Sequence, residues 1–228
     1  MKISEIFHSI QGEGILAGMP SVFIRTSGCN LRCTWCDTPY TSWNPEGEEM
    51  PVAQVAGAAL KFGARHMVVT GGEPMLTGEV FELTQALKAA GDAHITIETA
   101  GTVYQPVVCD LMSISPKLAN STPRERDGGR WAAHHDRLRH QPEVLKRLMS
   151  EFPYQLKFVV AEPEDLDEIH KIIRETGATG DRVVLMPEGT TVDKLRARAP
   201  WIAEIAKRES FRYGPRLHID IWGDKRGV

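Results

Sequence analysis

Three cysteines, Cys29, Cys33 and Cys36, lie within eight positions as C-x-x-x-C-x-x-C. In a chain with only 4 Cys, such a cluster points to metal or redox chemistry rather than to a disulfide framework. The spacing is too compact for a paired zinc finger. A structural zinc is closed by four ligands, so it would need a distant donor such as His8 or Cys109. A [4Fe–4S] cluster needs no fourth side chain, because its remaining iron can take a small molecule. Spacing alone leaves both readings open. Cys109 itself sits in the apolar stretch Val107-Val108-Cys109-Asp110-Leu111 and reads as a small buried hydrophobe.

Two other strings carry chemistry. In Thr70-Gly71-Gly72-Glu73-Pro74 the glycines let backbone approach a ligand with no Cβ between them, although the same string also suits an ordinary strand-to-helix turn. Ahead of the cysteines, Ile10-Gln11-Gly12-Glu13-Gly14 offers an amide and a carboxylate, with Arg25 on the following strand. Amide, carboxylate and guanidinium together suit a flat heterocycle bearing hydrogen-bond donors and an acid group. The plainer alternative is a tight loop. Thr38, just before Pro39, reads by itself as a turn residue.

A scaffold must bring these residues together. Short apolar runs predict strands at 22–26, 66–70, 94–99, 109–114, 156–160, 183–186 and 217–221. Helical spacing fills the gaps, from Pro51 with Val52, Val55, Ala59 and Leu60 on one face, from Glu79 to Ala90 before Gly91, and after Pro163 up to Gly177. Alternating strands and helices predict right-handed βαβ units in an α/β fold. Six or so units fall short of a closed eightfold barrel of ~250 residues, so the expectation is a partial TIM-like barrel with mostly parallel strands. One domain spans 1–228, and the polar stretch 119–140 reads as a long connection or insertion. Gly28 to Asp37, Gly71 to Pro74 and Ser115 to Lys117 each follow a predicted strand, and Glu98-Thr99 ends one, where such sheets place their sites.

Composition bounds the rest. Hydrophobic residues at 42%, charged residues at 25% and a net charge of -3 describe an ordinary soluble protein, with no basic field for nucleic acid or anionic membrane. No apolar run is long enough to span a bilayer, and Glu5 falls too early for a secretory signal. The expected location is the cytoplasm.

The string C-N-L-R-C-T-W-C resembles the signature of the radical S-adenosylmethionine (SAM) superfamily, and G-G-E-P follows in the expected order. The resemblance implies that Cys29, Cys33 and Cys36 hold a [4Fe–4S] cluster whose open iron is chelated by SAM. It places Trp35 and Asp37 beside the cofactor, the methionine amino group on Gly71, Gly72 and Glu73, and ribose or carboxylate near Ser115, Pro116 and Lys117. Gln155 and Lys157 are weaker candidates.

Across nearly the whole chain, F-H-S-I-Q-G-E-G, F-I-R-T-S-G-C-N-L-R-C-T-W-C-D-T, V-T-G-G-E-P, S-P-K and L-H-I-D resemble the 7-carboxy-7-deazaguanine synthase family. That resemblance implies a homodimer that contracts the ring of 6-carboxy-5,6,7,8-tetrahydropterin with loss of ammonia, SAM being regenerated. It assigns Ile10, Gln11, Gly12, Glu13, Arg25, Thr70 and His218 to the pterin and Thr38 to Mg²⁺. It also implies a reductant protein such as a flavodoxin. The tail after His218 is longer than in members whose terminal carboxylate reaches the substrate. Two other functions share some of these features, a glycyl-radical activase acting on a partner protein and a zinc-stabilised binding module.

Overall fold

Side chains alternate along each strand, and that alternation divides the molecule into two faces with different jobs. In the computed structural model, which describes all 228 residues, the strands are β1 (Lys2–Ile10), β2 (Pro20–Thr26), β3 (Glu48–Glu49), β4 (His66–Gly71), β5 (His94–Thr99), β6 (Leu111–Ile114), β7 (Tyr154–Val160), β8 (Val183–Pro187) and β9 (Arg212–Tyr213). The helices are α1 (Pro39–Ser42), α2 (Val52–Leu60), α3 (Glu79–Ala89), α4 (Ala132–Leu138), α5 (Pro142–Glu151), α6 (Asp165–Thr176), α7 (Val192–Glu209) and α8 (Leu217–Trp222). One nine-stranded sheet runs β3-β1-β2-β4-β5-β6-β7-β8-β9. β1 is antiparallel to both its neighbours, and every pairing from β2 to β9 is parallel. The sheet does not close, which makes it the partial barrel expected.

Val22 and Ile24, Met67 and Val69, Ile95 and Ile97, Met112 and Ile114, Leu156 and Phe158, and Val183 and Leu185 form the outward face and pack in a single core with the helices. Their neighbours one position along, including Phe23, Arg25, Thr70, Glu98, Ser113, Lys157 and Met186, face the concavity. A period of two thus puts the core on one side and the polar site on the other.

Local signals set the ends of the helices. Pro142 opens α5, and Gly177, in the left-handed region at φ 73°, caps α6 by donating its N–H to Ile173.

Two expectations need correction. Residues 217–221 form α8 rather than a strand: the alternation L-H-I-D-I is too short to fix a period, and the N–H of Asp220 and of Gly223 donate to the carbonyls of Arg216 and Ile219. The segment 119–140 is not mere connection. It carries a 3-10 turn at Ala119–Ser121 and then α4, pinned where the Ser121 hydroxyl meets His135 Nε2 at 2.9 Å and the Thr122 hydroxyl donates to Asp136. The periodicity of α4 is weak because its buried residue is His135. β1 and α7 also escaped the sequence reading. No helix is long and apolar enough to cross a membrane.

Phe158 is fully buried at the centre of the outward core. Phe158→Ala is expected to cost about 3–5 kcal/mol in urea unfolding; a loss below ~1 kcal/mol would mean the outward face is not the packed core described.

Candidate active site

The cysteine loop follows β2, and neighbouring backbone fixes its course. Gly28 N–H donates to Thr41, the Glu73 N–H donates to Gly28, and a Cβ on Gly72 would stand 2.1 Å from the Gly28 carbonyl. Gly72 is therefore required for the approach of these two loops. Cys33 is buried with Leu31 and Ala100, and Cys29, Trp35, Cys36 and Leu138 pack around them. Burial pushes the Cys29 thiol up to about 12 and the Cys33 thiol further, with nearby carboxylates and the other thiols adding to it. Thiolates here need cationic compensation, which iron supplies.

The set fits a cluster better than a single zinc. No three His, Cys, Asp or Glu side chains converge on one ion position. His8 is exposed beside Phe62, early in the β1–β2 ladder, and half-buried Cys109 precedes β6, so both stand toward the N-terminal ends of the strands.

Above the loop the concave face encloses a cavity of about 530 Å³. Lining it on one side are Trp35, Gly71, Gly72, Thr99, Ser115 and Lys117. Lys117 donates to Ser115 Oγ at 2.8 Å and lies over the Trp35 ring, whose indole N–H is held by Asn120. On the other side are Ile10, Gln11, Gly12, Glu13, Arg25, Thr70 and His218. Phe7 and Phe23, directly opposite in the β1–β2 ladder, stack at 5.0 Å and 10° to form an aromatic shelf. Arg25 is drawn to Glu5 at 2.6 Å, and Glu5 also takes the Tyr40 hydroxyl. Gly12 is where His218 closes in: a Cβ there would fall 2.0 Å from Nδ1.

A ladder of alternating charge, buried at Lys157 and Arg216 and open to solvent at Asp37, joins the two sides. Arg216 contacts Asp37 and, at 3.1 Å, Glu13; Lys157 donates to Glu13 at 2.9 Å and to Glu98 at 3.1 Å; Glu98 also accepts from Gln11 and Thr70. Burial alone would raise the Glu13 carboxyl, but Lys157, Arg216 and His218 outweigh it and hold it well below the carboxylate range. Burial opposes the charge on Lys157 and on Arg216, and their carboxylate partners overcome it and raise both. Burial lowers His218.

Several candidates stand elsewhere. Glu73 is behind the wall, its carboxylate accepting from Thr99 Oγ1, Ala100 N and Met75 N, so it braces the G-G-E-P turn against the end of β5. Gln155 bridges Ser113 and the N–H of Ile15, and Pro116 is buried; neither lines the cavity. Asp37 lines the cavity but is paired with Arg216. Thr38 also lines the cavity, its Oγ1 3.3 Å from Thr41 Oγ1 and 3.9 Å from Cys36 Sγ. The sequence reading missed Arg216 and the Phe7–Phe23 shelf and left the role of the tail open: Asp224 to Val228 fold back onto the cavity, with Arg226 over Tyr40 and donating to Glu5 and Glu46.

Comparison with known proteins bears on the fold and the family. Residues 23–118 match the Radical SAM superfamily. The chain is 45% identical to the 7-carboxy-7-deazaguanine synthase of Rhodopirellula baltica, over 99% of its own length and 88% of the relative's. It is 45% identical to that of Halobacterium salinarum, covering 98% and 91%. Among solved structures, QueE from Escherichia coli superposes with a TM-score of 0.66 at 26% identity, covering 95% of this chain and 94% of that one.

Lys157 has a side chain only 3% exposed. Lys157→Met leaves Glu13 short of a partner and is expected to cost about 3–5 kcal/mol at pH 7. Because Glu13 is held below its ordinary 4.5, its contribution is present above that pH and is lost as pH falls through the folded value. The gap between wild type and variant should therefore narrow on acidification below pH 4.5 in thermal unfolding; a gap independent of pH would contradict the ladder.

Proposed function

The chain belongs to the 7-carboxy-7-deazaguanine synthase family of the radical SAM superfamily, and on that premise we propose that it converts 6-carboxy-5,6,7,8-tetrahydropterin to 7-carboxy-7-deazaguanine with loss of ammonia, in queuosine (7-deazapurine) biosynthesis. The observation that carries this reading is one cavity with two unlike walls, an aromatic and acid-rich wall on the β1 side and a Trp-Ser-Lys wall above the cysteine loop. A flat pterin matches the first and SAM the second. The relatives matched over the full chain are synthases, so a glycyl-radical activase is not favoured.

Cys29, Cys33 and Cys36 are the residues that would hold the [4Fe–4S] cluster, which together with SAM supplies one-electron radical chemistry when bound. The protein's own task is to bind, orient and keep out water. The Phe7–Phe23 shelf receives the face of the pterin, and Glu13 and Glu98 accept from its amino and ring N–H groups. Neutral His218 is free to donate or accept once. Arg25, oriented by Glu5, meets the carboxylate of the substrate. Ser115, Lys117 and Trp35 hold SAM, with Gly71 and Gly72 offering close backbone. Thr38 is the residue that would offer a hydroxyl to Mg²⁺, which would supply a hard Lewis acid for substrate oxygens. The chain works as a homodimer in the cytoplasm and takes electrons from a small reductant protein such as a flavodoxin.

Anaerobically reconstituted protein should carry about four irons per chain and turn over carboxytetrahydropterin with SAM, Mg²⁺ and a reductant to carboxydeazaguanine. Chelating Mg²⁺ should slow that turnover. SAM cleavage to 5′-deoxyadenosine with no carboxydeazaguanine would sink the substrate assignment. A colourless protein with about one zinc per chain would sink the radical chemistry too.

A further inference from the structure

Arg216 belongs to none of the motifs, yet it is 6% exposed and its guanidinium reaches three separate loops. Nε donates to Glu13 Oε1 at 3.1 Å, Nη1 to the Gly189 carbonyl at 2.6 Å, and Nη2 to the Asp37 carboxylate. Glu13 faces the cavity from the loop after β1, Gly189 lies in the loop after β8, and Asp37 directly follows Cys36. A planar guanidinium presents its donors in a fixed fork, so displacing one partner displaces the others. The next residues tighten the same joint: Leu217 N–H donates to the Gly12 carbonyl at 2.9 Å, and the His218 ring lies against Gly12.

We propose that Arg216 is a positioning residue that ties the substrate-facing carboxylate of Glu13 to the cysteine loop through Asp37, coupling occupancy of the pterin wall to the geometry of the cluster loop. This rests on the reading of Glu13 as a pterin ligand. Lysine at this position keeps the charge but, as a single point donor, cannot hold three loops at once. Asp37 is on this account a strut for the third cysteine.

A double-mutant cycle in the reconstituted holoenzyme tests the coupling. Arg216→Gln and Asp37→Asn should each raise KM for carboxytetrahydropterin about tenfold, and the double variant no further than the worse single, because both break one link. Arg216→Lys should recover only part of the loss. A second readout needs no pterin, namely the electron paramagnetic resonance of the reduced cluster with SAM. Glu13→Gln should shift its g values in the wild-type background and leave them unchanged in the Arg216→Gln background. Multiplicative KM effects would overturn the proposal, as would g values that ignore Glu13→Gln or follow it equally without Arg216. Were the wild type to form no carboxydeazaguanine while the g-value coupling held, the substrate assignment would fall and the Arg216 joint would stand.

Discussion

Five charged side chains sit together in the concavity, and they can do so because their signs alternate in space: Asp37, Arg216, Glu13, Lys157, Glu98. Each charge withdrawn from water costs several kcal/mol unless a partner and further hydrogen bonds compensate it. Here every member has a counter-ion, and Glu98 gains the Thr70 hydroxyl and the Gln11 amide besides. The members come from the loop after β1, the cysteine loop, β5, β7 and the turn into α8. Satisfying their charges therefore draws together segments that the sheet alone would leave apart. At this point α8 docks on the Gln11–Glu13 turn, Leu217 N–H donating to the Gly12 carbonyl.

The sheet makes such a ladder tolerable. Its outward face already buries Val, Ile, Leu, Met and Phe against helices, so the inward face is free to be polar. The cysteine loop lies at the rim between the two. There its thiols pack with Leu31, Ala100 and Leu138, while Trp35, Asp37 and Thr38 of the same loop line the cavity, and in that apolar setting thiolate charge requires a metal beside it. Glu73 shows how closely architecture and site are joined: a residue of a binding motif spends its carboxylate on Thr99, Ala100 and Met75, and by doing so holds the wall that Thr99 and Ala100 present to the cavity.

Short-range features were legible in the sequence. Cys29, Cys33 and Cys36, Gly71-Gly72 and Gln11-Gly12-Glu13 are each local strings, and repeated strand–helix alternation was enough for an open, parallel α/β barrel. Long-range pairings were not. Arg216 meets a residue 179 positions away, and nothing in P-R-L-H marks it. Glu98 and Lys157 did leave a trace: in I-T-I-E-T and Q-L-K-F-V a charge occupies the alternate position of an otherwise apolar strand, where a strand buried on both faces would have none. Gln155, one inward position along from Lys157, turns its amide to Ser113 and Ile15, a choice between neighbours that spacing cannot settle. The strand expected at 217–221 failed because five residues of alternation do not outweigh the start of a helix at Arg216.

The central claim is that one cavity holds a pterin against the acid-rich wall and SAM against the cysteine loop. An anaerobic crystal structure of the reconstituted protein with SAM and carboxytetrahydropterin tests it most directly. The account predicts the pterin on the Phe7–Phe23 shelf within hydrogen-bond reach of Glu13 and Glu98, and SAM beside Trp35 and Lys117. A pterin bound outside this cavity, or Glu13 turned from it with the Arg216 contact broken, would contradict the account.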